Sequence, residues 1–368
     1  MSIKNLLAGE SFLPLKGAGG SLLLCLLLLS SCTKEQIFPR ASGRPYEVLV
    51  VMDKQTWEAP AGRALFDILD TDVPCLPQSE RSFHITQIEP KDLSANFSIF
   101  RNIIQVNIDR TQFSRTGMRF TRNKYAMDQI VLTINSPSLE DFRQFCTDHK
   151  QEVIDFLTRT EMNRLIAELE TRYSKVTYDL TWQIFACRFH APKELTSYKK
   201  GQHFLWTSNN TASGLENIVV YSYPYEGPET FNKQYMTLKR DSVMKVNLPG
   251  EKPGMYMKTD TLCTIIKPIV VHDRYAMEMR GLWYMENDCM GGPFVSHSRI
   301  DTETNRVVVA EGFVYAPEKM KRGLIRRLEG SLYTLLLPEE QYSLINTEVE
   351  EEKQAAPASE GSQTPGKS

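Results

Sequence analysis

Residues 275–294 read YAMEMRGLWYMENDCMGGPF, and this stretch alternates. Tyr275, Met277, Met279, Trp283 and Met285 fall on one side of an extended chain. Glu278, Arg280, Tyr284, Glu286 and Asp288 fall on the other, with Leu282 among them. A period of two with unlike sides predicts a β-strand. Asn287 to Pro293 then reads as a turn or bulged loop. Gly291 and Gly292 permit positive φ there, and Pro293 imposes an extended entry. Pro293–Ile300 and Arg306–Tyr315 read as two further strands, joined by the hairpin-length Asp301-Thr302-Glu303-Thr304-Asn305.

Working outward, Thr181–Phe189, His203–Trp206, Asn217–Tyr223 and Cys263–Val271 read as extended. Thr230–Val246 reads as a helix that ends before Pro249-Gly250, and Pro317-Glu318 opens another that runs to about Leu337. Nearer the N-terminus, Tyr46–Met52, Phe83–Ile88, Ile99–Ile108 and Gln129–Ile134 predict strands, and Ala61–Leu69 a short helix. Ser136-Pro137-Ser138 with Glu140 and Asp141 predicts a helix start, continuing to Tyr173 with a break near Thr158. Strand, Pro-and-acid start and helix recur at Ile130–Phe142 and Val307–Lys319, which hints at a duplicated unit. The expected fold class is α+β: two α/β units, 46–174 and 175–340, with mainly antiparallel sheets and helices packed on one face.

The ends read differently. GAGGSLLLCLLLL, residues 17–29, is an apolar run of signal-sequence length, and a membrane span needs roughly 20 residues. It closes as Leu29-Ser30-Ser31-Cys32, which resembles the lipobox of bacterial lipoproteins. The resemblance implies a signal peptide over 1–31 and a lipid-modified, palmitate-bearing Cys32. Lys34-Glu35 behind it resembles the surface-export signal of Bacteroidota lipoproteins, although Gln36 stands where a second acid is usual. Residues 32–45 read as a tether and 341–368 as a low-complexity tail. The expected location is the outer membrane, lipid-anchored, on the periplasmic side or the cell surface.

The 368 residues carry a formal charge of −2, which argues against nucleic acid and against an electrostatic hold on anionic lipid. The mature chain has no GxxxxGK[ST], HExxH, GxSxG or GxGxxG. The six histidines are scattered singly, and no cysteines have ligand spacing, so neither a metal nor a cofactor is expected. Beyond Cys25 and Cys32, five cysteines remain: Cys75, Cys146, Cys187, Cys263 and Cys289. They read mostly as small buried apolar residues, with one disulfide left open.

Glu278, Arg280, Trp283, Tyr284, Glu286 and Asp288 are the candidate binding residues. A guanidinium flanked by carboxylates and a tyrosine can grip a sugar or a peptide; the other reading is a solvated face with Arg280 paired to its neighbours. Tyr221, Tyr223 and Tyr225 suit either a groove or a core face. Lys319, Lys321, Arg322, Arg326 and Arg327 suit either solvent or a phosphate-bearing partner.

MEMRGLWYMENDCMGGPFVS (277–296), EGFVYAPEKMKR (311–322) and KRDSVMKVNLPG (239–250) resemble an uncharacterised Bacteroidota lipoprotein family known as a domain of unknown function. The likeness runs from about Tyr46 to Leu337. It implies an envelope location and brings no catalytic residues. Two functions follow as expectations. The first is a lipid-anchored binding or assembly module for a glycan, peptide or partner protein. The second is an envelope-polymer hydrolase using Glu278, Glu286 or Asp288.

Overall fold

The computed structural model describes residues 38–341 apart from 212 and 213. The expected signal peptide, Cys32 and nearly all of the tail lie outside the described residues. Among those described, no helix is long and apolar enough to cross a membrane.

Two sheets organise the described chain. The first is built on β1 (Glu47–Val51), whose Val48 to Val51 are all buried. Side chains buried on both faces mark a central strand of a parallel sheet. The Asp53 side chain accepts the Thr56 amide at 2.8 Å and starts α1 (Lys54–Glu58). Pro60 opens α2 (Pro60–Leu69), and the chain returns as β2 (His84–Ile88), parallel to β1. The short α3 (Ala95–Ser98) leads to β3 (Asn102–Ile108), then β4 (Gly117–Arg122) and β5 (Ile130–Ser136). The order is β2-β1-β3-β5-β4, and only the β4–β5 pair is antiparallel.

One face of this sheet packs Val50, Ile104 and Leu132 against Leu65 and Ile68 of α2, Phe142 of α4 (Leu139–Asp148) and Leu157 of α5 (Lys150–Thr171). Leu49, Val51, Ile103 and Val131 line the other face beneath Phe97 and Phe100. Ser138 caps α4 as expected, accepting the Asp141 amide. The break before α5 falls at His149 rather than Thr158. The segment read as a tether attaches to the sheet where it is described: Arg40 and Ser42 bridge to Met127 and Phe100.

The second sheet is antiparallel throughout, ordered β6-β7-β8-β12-β11-β10-β9. Its strands are β6 (Ser197–Gly201), β7 (Phe204–Ser208), β8 (Leu215–Pro224), β9 (Met257–Val271), β10 (Arg274–Met285), β11 (Gly291–Asp301) and β12 (Arg306–Tyr315). α7 (Lys233–Asn247) covers one face, over Tyr221, Met277, Met279 and Trp283. α6 (Lys175–Phe185) and α8 (Arg322–Leu332) cover the other, over Val220, Val295 and Ala310.

The α+β class holds, with five corrections. The first sheet is mostly parallel, because its strands are joined by crossovers rather than hairpins. The second sheet carries helices on both faces. The two sheets differ in topology, so the strand-to-helix likeness does not extend to a duplicated fold. Thr181–Phe189 is not a strand: α6 continues to Phe185, and Ala186 ends it in the left-handed region. Its threonines look strand-forming locally, but Thr177 and Thr181 sit one helical turn apart and both are buried, so packing decided. The last helix begins at Arg322 rather than Pro317. The Glu80 carboxylate, from the first half of the fold, accepts the amides of Lys321 at 2.6 Å and Arg322 at 2.9 Å there.

Candidate functional site

β10 alternates as expected, but neither face meets open water along its middle. Trp283, Met277 and Met279 are buried under α7, and Trp283 Nε1 donates to the Val314 carbonyl at 3.3 Å. Glu278 and Arg280 project the other way and are buried too, because α8 lies over them. Gly312 and Gly330 permit that cover. A Cβ at Gly312 would stand 2.6 Å from Leu328 Cβ, and one at Gly330 would stand 2.4 Å from Leu165 of α5. α8 therefore seats closely on the second sheet and against the first half of the fold.

The six candidate residues do not converge. Glu278 and Arg280 meet below α8, and Trp283 is in the opposite core. Tyr284, Glu286 and Asp288 sit at the far end of β10. There Glu286 pairs with Lys258 at 3.3 Å, and Asp288 accepts the Cys289 amide at 2.6 Å. Glu278 and Glu286, eight residues apart along one strand, are separated by roughly 26 Å. A glycosidase pair stands roughly 5–10 Å apart, so these two do not work together.

Glu278 and Arg280 instead form the floor of a cleft of about 920 Å³. One wall is α5, through Gln151, Asp155, Arg159 and Asn163; another is β9, through Ile265 and Lys267; a third is the strap between α2 and β2, through Asp72 and Ser82. Arg326, Glu329 and Tyr333 complete the floor. Arg280 Nη2 donates to Glu329 Oε1 at 2.6 Å and to Glu278 Oε2 at 3.4 Å, and Arg326 Nη1 donates to Glu329 Oε2 at 3.1 Å. Lys267 approaches Glu278 at 3.8 Å from the rim.

Burial works to raise the Glu278 carboxyl, but the neighbouring His297 ring and the Arg280 and Lys267 cations overcome it and hold it well below the usual range. Burial likewise opposes ionisation of Glu329, and Arg280 and Arg326 outweigh it, so its carboxyl is lowered too. Both glutamates are anionic at neutral pH. Burial raises the Tyr333 hydroxyl, which stays protonated.

Some polar atoms here lack partners. Arg326 Nε is buried without a hydrogen bond, as are both ring nitrogens of His297 and the Tyr46 hydroxyl. His297 Nε2 lies 3.7 Å from Glu278, too long for a hydrogen bond. Buried donors without partners call for a water or a ligand.

The sequence did not single out Glu329 or Tyr333, and it left Arg326 on a face open to solvent or phosphate. The signal available was the Arg326–Glu329 spacing of three on a helix whose glycines allow close packing. Most of the other basic residues near α8 are engaged: Arg322 donates to the Arg81 carbonyl, and Arg327 pairs with Glu194 and Glu216. They do not form an open phosphate site. Tyr221 and Tyr223 belong to the core under α7. Gly291 and Gly292 lie in β11 rather than in the turn, where Asn287 takes the positive φ. Among the described residues, no group of three or more His, Cys, Asp or Glu side chains is placed to hold a metal ion.

No curated protein and no solved structure matches this chain. Residues 41–170 match the family model described as Domain of unknown function (DUF8532), and residues 175–334 match that described as Domain of unknown function (DUF4837). The first sheet falls in one match and the second sheet in the other, and residues from both line the cleft.

Proposed function

We propose that this is a lipid-anchored envelope protein that binds a short peptide, free at both ends, in the cleft between its two sheets. The carrying observation is the floor. Arg326 lines the cleft; its Nη1 is held by Glu329, and its Nε is buried without a partner. A guanidinium so placed suits a carboxylate. The side chains lining the cleft balance: Arg159, Lys267, Arg280 and Arg326 face Asp72, Asp155, Glu278 and Glu329. Balanced charge favours a zwitterion over a polyanion. The anchor rests on the Leu29-Ser30-Ser31-Cys32 motif.

A hydrolase is the second reading, favoured by two carboxylates, Glu278 and Glu329, gathered on one guanidinium within a cleft. Neither glutamate can be the general acid that glycoside or peptide cleavage needs, since both are held ionised; that proton would have to come from another group of the cleft, such as Tyr333.

Calorimetric titration with short peptides, their end-blocked forms and neutral oligosaccharides tests the ligand. Free peptides should bind, and blocking either end should weaken them by about tenfold. Oligosaccharides binding as well as peptides would point to a glycan instead, and release of a cleaved product would favour the hydrolase. Labelled palmitate should enter the wild-type chain and be lost with Cys32→Ala; equal labelling of both would remove the anchor.

A further inference from the structure

Beside the charged floor, two cysteines meet where the halves of the fold touch. Cys75 lies in the strap between α2 and β2, with a left-handed backbone (φ 59°). The strap is fixed on both sides of it: Asp72 bridges to Arg81, and Glu80 holds the amides at the start of α8. Facing it is β9, an edge strand of the second sheet. β9 shifts register against β10 here. Arg280 pairs with Ile265 but Leu282 pairs with Asp260, so residues between Asp260 and Ile265 bow out of the ladder.

The Cys75 thiol reaches into this irregularity. It donates to the Cys263 carbonyl at 3.0 Å and lies 3.6 Å from the Arg280 carbonyl. Cys263 is exposed, and both cysteines are free thiols in the structure. A sulfur in contact with a residue's own carbonyl is close to that residue's Cα, within the range where a small shift brings a disulfide into reach. The exposed Cys263 side chain is free to turn.

We propose that Cys75 and Cys263 are a disulfide-forming pair that ties the strap, one wall of the cleft, to the edge of the second sheet. The reaction is thiol–disulfide exchange with an external disulfide such as glutathione disulfide. The Cys263 thiolate attacks that disulfide, its proton passing to the glutathione it releases. The Cys75 sulfur, giving up its own proton, then displaces the second glutathione. Two electrons and two protons leave with the two glutathiones, and one S–S bond joins the strap to β9. Burial raises the Cys75 thiol, so Cys263 meets the oxidant first. The pairing stands whether or not the cleft takes a peptide.

The test uses the purified full chain, equilibrated in glutathione buffers from reducing to oxidising, then alkylated and digested without reduction. The expected product is a cross-linked peptide joining Cys75 to Cys263, lost in Cys263→Ser. Oxidation should raise the melting temperature of the wild type by roughly 5 °C, and this shift should vanish in Cys263→Ser. Equal melting of the two reduced proteins would show that the exposed substitution leaves the fold intact. Full alkylation of Cys75 and Cys263 at the oxidising end, or a bond from Cys263 to Cys289 in its place, would overturn the proposal.

Discussion

Arg280 on β10 and Glu329 on α8 meet at 2.6 Å, and this contact fastens the last helix to the sheet below the cleft. Glu278 lies on the same guanidinium nitrogen, and Arg326 on the other oxygen of Glu329. Four charges are thus buried together, and each is compensated by the others.

Removing one charge strands the rest. Arg280→Ala should destabilise the protein by about 3–5 kcal/mol, because two carboxylates lose their shared cation in a site that water reaches poorly. Urea denaturation measures this. A loss under about 1 kcal/mol would mean that the floor is well solvated.

The same network sets an acid limit. Glu278 and Glu329 have lowered carboxyls in the folded protein, so their contribution is present at neutral pH and is lost as pH falls below the usual carboxylate range near 4. Glu311 has the opposite sign: burial raises it beyond what Arg240 recovers, so its contribution is greatest at low pH and declines as pH rises through its folded value. Stability measured from about pH 2 to pH 6 should rise with pH, and the rise should be shallower in Glu278→Gln. An unchanged slope would mean that Glu278 titrates alike in both states.

Arg240 and Glu311 form a separate ion pair inside the opposite core, with contacts of 2.8 to 3.1 Å. Arg240→Met alone should cost about 3–5 kcal/mol by leaving Glu311 buried without its cation. Adding Glu311→Leu should recover most of the loss, since two apolar residues of like volume can replace a buried pair. Additive losses in the double variant would contradict this.

Two glycines should separate cleanly. A Cβ at Gly292 would stand 2.0 Å from the Val314 carbonyl oxygen, and one at Gly323 meets nothing within 4 Å. Gly292→Ala should therefore lower stability by several kcal/mol, about 3 or more, through backbone displacement. Gly323→Ala, in α8, should raise it by about 0.5–1 kcal/mol. Thermal melts of both variants decide it.

Much of the second sheet was legible because its strands alternate: Met277, Met279 and Trp283 separate from Glu278 and Arg280 by parity alone. Alternation reports which side a residue faces, and says nothing of what covers that side. The burial of Glu278 and Arg280 depends on α8, which joins them from some fifty residues away. β4 and β6 escaped notice because GMRFTR and SYKKG are mostly exposed edge strands rich in polar and basic residues. The parallel order of the first sheet was hidden because crossover pairing is non-local. Within the cleft, only the two β10 residues were foreseen as neighbours. α5, β9 and the strap are brought in by packing between the halves.

On the peptide reading, Arg326 at the cleft floor is the cation that meets the peptide carboxylate. Titrating the best-binding free peptide into wild type and Arg326→Lys tests it most directly, because lysine keeps the charge near Glu329 and loses the planar fork. Binding should weaken by about tenfold, with the melting temperature of the free protein little changed. Equal affinity for both proteins, or no peptide binding to the wild type at all, would contradict it.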